Sequence, residues 1–290
     1  MAGDPDPRVS VVVLTRNRAA ELARTLERLQ CLPERPPLIV VDNGSHDETA
    51  LRLRRDFPAV EPVACRGNLG AAGRNEGVAR VATPFVAFCD DDTWWAPGAL
   101  TRAVALLDTH PHVAVVAARV LIGPEQRLDP ACQRMAASPL DATGLPGPSL
   151  IAFMAGAAVM RTDAYREVGG YEPRLFLGAE EALMGLDLVS RGWRIVYAPE
   201  VVTHHHPSAA RNPRRRRVLL ARNRLWTAWL RLPAARALVE SARVLREAAD
   251  WGVHTAALGR ALLGLPWALR HRRPVPAEVA EMHRRVFTPR

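Results

Sequence analysis

The sequence predicts an α/β fold: an open sheet with helices on both faces, followed by a C-terminal helical extension. Three observations carry this expectation. Short β-branched runs alternate with segments of helical period through the first half of the chain. Polar clusters sit where those runs end, and from residue 207 onward the pattern becomes arginine-rich and helical. With 290 residues, 48% of them hydrophobic, the chain can bury a core for one large domain or for one domain with an appendage. The expected division is 1–206 and 207–290.

The elements follow in order. "VSVVVL", Val9 to Leu14, reads as a strand buried in a parallel sheet, and Leu22, Leu26 and Leu29 then recur at helical spacing. "PLIVVDNGSHDET" is a strand running into a polar, Gly-containing loop, and "ALRLRRDF" is a helix. "VEPVAC" and "AAGRNEGVARV" repeat strand and helix, as do "FVAFCDD" and "PGALTRAVALLDTH". After "VAVVAARVLI" the pattern loosens, and the Pro-, Gly- and Ala-rich stretch from Gly123 to Ser149 reads as a long irregular excursion. "LIAFMAGAAVM" is strand-like and leads to a short helix ended by Gly169 and Gly170. "LGAEEALMGLDLVSRG" is a helix stopped by Gly192, and "WRIVYAPEVVTHHHPS" is extended. Beyond Arg211, two or three amphipathic helices carry Trp226, Trp229, Trp251 and Trp267.

Charge is unevenly placed. Residues 207–290 hold 18 Arg against 5 acidic residues, and residues 1–206 hold 21 against 25; lysine is absent. Such a tail suits a phosphate-bearing partner, and an anionic membrane surface is one expectation. Helix-to-helix contact in a homodimer is another. A nucleic-acid partner is not expected, because the tail tryptophans fall at amphipathic spacing and no nucleic-acid motif accompanies them. Cys31, Cys65, Cys89 and Cys132 lie far apart without CxxC spacing and read as buried free thiols. "MAGDPDPR" has no apolar signal core, and "WGVHTAALGRALLGLPWAL" is broken by His254 and Arg260. The expected location is the cytoplasm, peripheral at the inner face of the membrane.

In open α/β sheets ligands bind beyond the carboxyl ends of the strands. Thr15, Asp42 and Asp90 to Asp92 all fall there. Asp90 and Asp92, two apart, can address one divalent cation, and hard cations such as Mg²⁺ and Mn²⁺ take oxygen ligands shared with phosphates. Helix capping explains one aspartate of the three. Asp42 can accept from a nucleobase N–H, while Asn43 to Asp47 also suit a turn. Glycines 67, 70, 73 and 77 let backbone approach a ligand, and Arg74 can pair with phosphate. Glu180 and Glu181 open a helix, where acidic residues are favoured by the dipole, yet a carboxylate there can also act as a general base. In "THHHP", His204 and His206 share one face of the strand and His205 takes the other. Of Trp94 and Trp95, one suits the core and the other an acceptor path.

"VSVVVLTRNR", "VVDNGSHDET", "NLGAAGRNEGVA", "FVAFCDDDTWWAPGAL", "GAAVMRTDAYREVGGYEPRLF" and "EEALMGLDLVSRGWRIVYAPEVVTHHH" occur in an order and spacing that resemble the family 2 glycosyltransferases, over residues 8 to 206. The resemblance implies the GT-A fold, with its Rossmann-like nucleotide-binding sheet, and inverting transfer from a nucleotide-sugar to an acceptor hydroxyl. It implies Thr15, Arg16, Asn17, Asp42, Asn68, Arg74, Asp90 and Asp91 at the donor. Asp92 and His205 are the implied ligands of Mg²⁺ or Mn²⁺, and Glu181 the implied base. Trp94, Trp95, Gly156 and Glu180 fall at the acceptor, which can be a saccharide, a lipid-linked sugar or a small molecule. The family's acidic pair is usually Glu-Asp; here it is Glu-Glu. The competing reading is a nucleotide-sugar-binding or nucleotidyltransferase-like protein that keeps the donor clusters without glycosyl transfer.

Overall fold

The computed structural model describes residues 8–207, 213–247 and 250–287. The first half alternates as its periodicity predicts: β1 (Val9–Thr15), α1 (Ala19–Gln30), β2 (Leu38–Asp42), α2 (Thr49–Asp56), β3 (Glu61–Ala64), α3 (Gly73–Val78), β4 (Phe85–Asp90), β5 (Thr93–Trp95) and α4 (Ala99–Thr109). Val9, Val11, Val12 and Val13 are all fully buried, which is why β1 reads as an apolar run broken only by the equally buried Ser10: helices cover both faces of this part of the sheet.

The second half contains β6 (Val113–Ile122), β7 (Arg127–Leu128), α5 (Pro130–Ala136), β8 (Ser149–Leu150), β9 (Ala158–Arg161), α6 (Thr162–Glu167), α7 (Glu180–Ser190) and β10 (Arg194–His205). The strands form one sheet in the order β3-β2-β1-β4-β9-β6-β10-β5, with β7 on β6 and β8 on β10. The β1, β2, β3 and β4 pairings are parallel, whereas β9 enters antiparallel between β4 and β6. The chain moves outward from β1 to β3 and then returns to the other side of β1 as β4. That reversal is a topological switch point, where a crevice opens at the carboxyl ends.

Three expectations change. The stretch from Gly123 to Ser149 is not wholly irregular: Asp129 accepts from the Ala131 amide at 2.7 Å and Pro130 occupies the first position, so α5 is capped and started in one dipeptide. Of the free cysteines only Cys89 and Cys132 are buried; Cys31 is exposed at the end of α1 and Cys65 is half-buried. The tail holds four helices among the described residues rather than two or three: α8 (Pro213–Arg231), α9 (Ala234–Glu247), α10 (Trp251–Arg270) and α11 (Ala277–Phe287). Ala228, Leu232, Val279 and Ala280 of this extension join the main core, and Arg231 pairs with Asp187 of α7. No helix among the described residues is long and apolar enough to cross a membrane.

Candidate functional site

Register brings the strand-end residues level: Thr15 lies opposite Asp42, and Leu14 opposite Asp90. Asp90 closes β4, and Asp91 and Asp92 form the turn into β5. This turn divides the three carboxylates between two arginines, Arg18 for Asp91 and Asp92 and Arg74 for Asp90. Asp91, 4% exposed, accepts from Thr15 Oγ1 at 3.0 Å and from Arg18 at 2.8 Å, while its carbonyl accepts from Thr25 Oγ1 at 2.8 Å. Arg18 also reaches Asp92 at 3.4 Å. Asp90 instead pairs with Arg74, whose side chain is buried and packs over the Tyr171 ring. Burial pushes the Asp91 carboxyl up to about 6, against the opposing pull of Arg18.

The β5–β10 ladder sets the histidines. His205 pairs with Thr93 in register, and its Nε2 lies 3.6 Å from Asp92 Oδ1. His204 and His206 turn to the other face, where their rings lie 5.7 and 4.7 Å from that of Trp94. The alternation sets the His205 imidazole on Asp92 and the other two rings against tryptophan, His206 also lying near the aspartates through its amide, which donates to Asp92 O at 2.9 Å. Trp95 is fully buried, so it is the core tryptophan of the two, and Trp94 remains partly exposed. Cavities of about 400 and 290 Å³ flank Trp94, sharing Arg28 and His206; the smaller includes Asp91 and Asp92. The larger one belongs to the His204 face and not to the crevice.

Around Asp42, side chains shape the loops. Asp42 accepts from the Ser45 amide at 2.8 Å, and Asn17, with φ +53°, donates its amide to Ser45 Oγ and accepts from the His46 amide at 2.7 Å. Arg16 is exposed at the rim. Asn43 accepts from the Leu69 amide at 2.8 Å and donates to Gly70 O at 2.9 Å and to Asn68 at 3.3 Å. Asn43 thus ties the strand end to the glycine segment. Gly70 has φ +62°, and a Cβ there would lie 1.9 Å from Phe176 O, so only glycine permits this approach.

Phe176 leads into the acidic pair. Phe176 and Ala179 both have left-handed φ, +63° and +64°, an unfavourable conformation for side-chain-bearing residues. Their surroundings enforce it. The Ala71 amide donates to Phe176 O at 2.6 Å, and Asn223 of α8, fully buried, donates to Leu175 O, Leu177 O and Gly178 O at 2.8, 3.1 and 2.5 Å. Asn223→Ala removes the side-chain donor from Leu177 O and Gly178 O, while Leu175 O keeps Arg222 at 2.8 Å, and we expect a loss of about 1 to 2 kcal/mol in denaturant unfolding. A loss near zero removes Asn223 as the loop's clamp.

The loop delivers Glu180 and Glu181 into the crevice. Glu180 is 4% exposed, and its Oε2 has no hydrogen-bond partner among the described residues. Burial raises both carboxyls; repulsion from Glu181 adds to the rise at Glu180, and backbone hydrogen bonding, including that of Ala155, with the charge of Arg74 opposes it at Glu181. Gly156 closes the same corner: a Cβ there would lie 2.7 Å from Asp90 Oδ2. Arg74, Asp90, Gly156 and the two glutamates are therefore neighbours, with Asp91, Asp92 and His205 across the turn.

Sequence reasoning passed over Arg18, read Asn43 only as part of a turn, and passed over Asn223. The Asn following Asp42 was a visible signal for the second; nothing local marks the other two. No cluster of three or more metal-binding side chains occurs among the described residues. Asp92 and His205 make a pair.

An open sheet with a switch-point crevice and an acidic turn at β4 is the GT-A arrangement. The mannosyltransferase PcManGT from Pyrobaculum calidifontis, solved with GDP-Man and Mn²⁺, superposes with a TM-score of 0.62 at 20% identity, covering 98% of this chain and 86% of that one. Residues 10–169, more than half the chain, match Glycosyl transferase family 2, and the chain belongs to that family. A pre-mycofactocin glycosyltransferase of Mycobacterium tuberculosis is 29% identical over 214 residues, 70% of this chain and 44% of the relative. The chain thus spans less than half the length of that relative. An N-acetylglucosaminyl-diphospho-decaprenol L-rhamnosyltransferase of the same organism is 24% identical over 242 residues, 70% of this chain and 78% of the relative.

Proposed function

We propose that this glycosyltransferase moves a sugar from a nucleoside-diphosphate sugar to an acceptor hydroxyl with inversion at the anomeric carbon. The observation that carries the reading is the convergence of Thr15, Asp42, Asp90 to Asp92 and Glu181 on one switch-point crevice. Thr15, Arg16, Asn17, Asp42 and Asn68 line the nucleoside side, and Arg74, Asp90 and Asp91 the ribose and sugar side. Glu181 takes the proton from the acceptor oxygen as that oxygen bonds to the anomeric carbon. The bond to the diphosphate breaks on the opposite face, and one displacement inverts the centre. Burial suits Glu181 to this work, since a raised carboxyl is a stronger base once ionised.

A divalent cation fits the donor set. Asp92 and His205, 3.6 Å apart, supply one carboxylate and one imidazole, and hard cations complete their shells with water and diphosphate oxygens. Bound there, Mg²⁺ or Mn²⁺ would stabilise the charge of the leaving diphosphate. Residues 1–206 form the catalytic domain and residues 207–290 an extension that holds the loop bearing the glutamates. Trp94, Gly156 and Glu180 border the acceptor, for which a lipid-linked sugar is favoured by the decaprenol named in one relative. Thermal stabilisation across a panel of nucleotide-sugars, with and without Mn²⁺, identifies the donor, and NMR of the product's anomeric proton reads the stereochemistry. Retention of configuration overturns the single displacement.

A further inference from the structure

Helix α10 is built inside out. The residues it buries against α8 are small: Val253, Ala257, Ala261 and Ala268. Gly264 completes the stripe, because a Cβ there would lie 2.2 Å from the Trp226 ring, and Trp226 Nε1 donates to Ala261 O at 2.9 Å. The large apolar residues point outward instead. Trp251 is 80% exposed, Leu262 57%, Leu263 85% and Leu269 47%. A helix meant for solvent on that face carries charged and polar residues there. This one has no acidic residue in 20, and its two charges are Arg260 and Arg270, both exposed.

The surroundings of this face are basic. At the start of α10 Arg214 stands beside the capping Asp250, a Cβ on Gly252 lying 2.8 Å from Arg214 Nη2 and 3.3 Å from Asp250 Oδ1, and at the far end the exposed Arg270 and Arg273 carry positive charge with no acidic residue between Gly252 and Arg273. Residues 207–290 carry 18 Arg against 5 acidic residues. A second copy of the chain would bring the same positive charge onto the face, which opposes self-association. An anionic lipid surface supplies the opposite charge and an apolar phase beneath it.

We infer that the outward face of α10 docks in the plane of an anionic bilayer, with Trp251, Leu262, Leu263 and Leu269 in the headgroup–acyl boundary and the arginines among the phosphates. Of the four tail tryptophans, the structure singles out Trp251 for this contact; Trp226, Trp229 and Trp267 pack inside the extension. The contact does not depend on the transfer reaction and is read separately from it.

The test is co-sedimentation of the full chain with vesicles of phosphatidylcholine alone and of phosphatidylcholine with phosphatidylglycerol. Binding is expected only to the latter and is expected to weaken as salt is raised. The double variant Leu262→Glu/Leu263→Glu is expected to lower partitioning by about tenfold or more, with thermal unfolding unchanged because both side chains are exposed. Leu263→Ala, a milder change, is expected to give a smaller drop. Equal sedimentation of wild type and double variant with the anionic vesicles overturns the inference, as does absence of wild-type binding. A shift in assembly state by analytical ultracentrifugation, without a change in vesicle binding, overturns it in favour of a contact between copies.

Discussion

Glu181→Gln is expected to lower sugar transfer by about 10²- to 10⁴-fold, the usual contribution of a positioned general base, while nucleotide-sugar binding persists. The amide keeps the size of the side chain and can no longer accept the acceptor's proton. Steady-state transfer and donor titration by calorimetry measure the two quantities apart. Unchanged turnover places the base elsewhere, and absence of transfer in the wild type with intact donor binding returns the protein to the binding-only reading. The pH profile follows from the same burial. Glu181 is a base only when ionised, and burial raises its carboxyl. The acidic limb of kcat/KM is therefore expected above the ordinary glutamate value of about 4.3.

Stability moves the other way. Glu180 rises to about 8 in the folded state through burial and the charge of Glu181. The native protein then holds a proton that the unfolded chain has released, so this group's contribution falls as pH climbs from the ordinary glutamate range to about 8. Glu180→Gln, which cannot ionise, is expected to flatten that decline in denaturant midpoints measured between pH 5 and pH 8 (roughly the window of maximal stability).

Asp92→Ala is expected to reduce transfer by about 10²- to 10³-fold, the scale of losing one preorganised electrostatic group. Chelation of the wild type should have a similar effect, reversed by Mn²⁺. The variant should fold, because Asp91, not Asp92, carries the bonds from Thr15 and Thr25. Arg18 keeps its 2.8 Å contact with Asp91 when Asp92 is removed. Full activity in excess chelator removes the cation from the mechanism. His205→Ala should have the same direction and a smaller effect, since imidazole contributes no formal charge to the pair.

The elements legible in the sequence were those whose cause is local. β1, β2 and β4 are buried on both faces and so are written as apolar runs, with Ser10 the one polar residue inside them, and each ends in a polar residue, Thr15, Asp42 and Asp90. α5 carried its signal in Asp129 and Pro130, but seven residues are too few to show a period. Arg18 was illegible because its partners Asp91 and Asp92 lie 73 and 74 residues away, and an arginine in "TRNR" reads as surface. The antiparallel insertion of β9 was hidden for the same reason: Ala158 to Arg161 is apolar in either direction, and only its neighbours set the sense of the strand. In α10 the helix was legible, yet not which of its apolar stripes faces inward. Burial of the small stripe is set by the close approach of Trp226, which no window of α10 contains.

One amide nitrogen has two hydrogens, yet Asn223 Nδ2 lies within 3.1 Å of three carbonyls from the loop that leads to the glutamates. Aspartate there would face those oxygens with oxygens of its own, so it should be tolerated less well than alanine. For anyone recombining these enzymes, the seam cannot be cut after the last strand. A tail borrowed from another protein brings its own residue at this place, and a loop with two unfavourable dihedrals will not keep its shape on a foreign support. The exchangeable module is helix α8 together with residues 173–181, inherited as a pair though the residues in contact lie 45 to 48 positions apart in the chain.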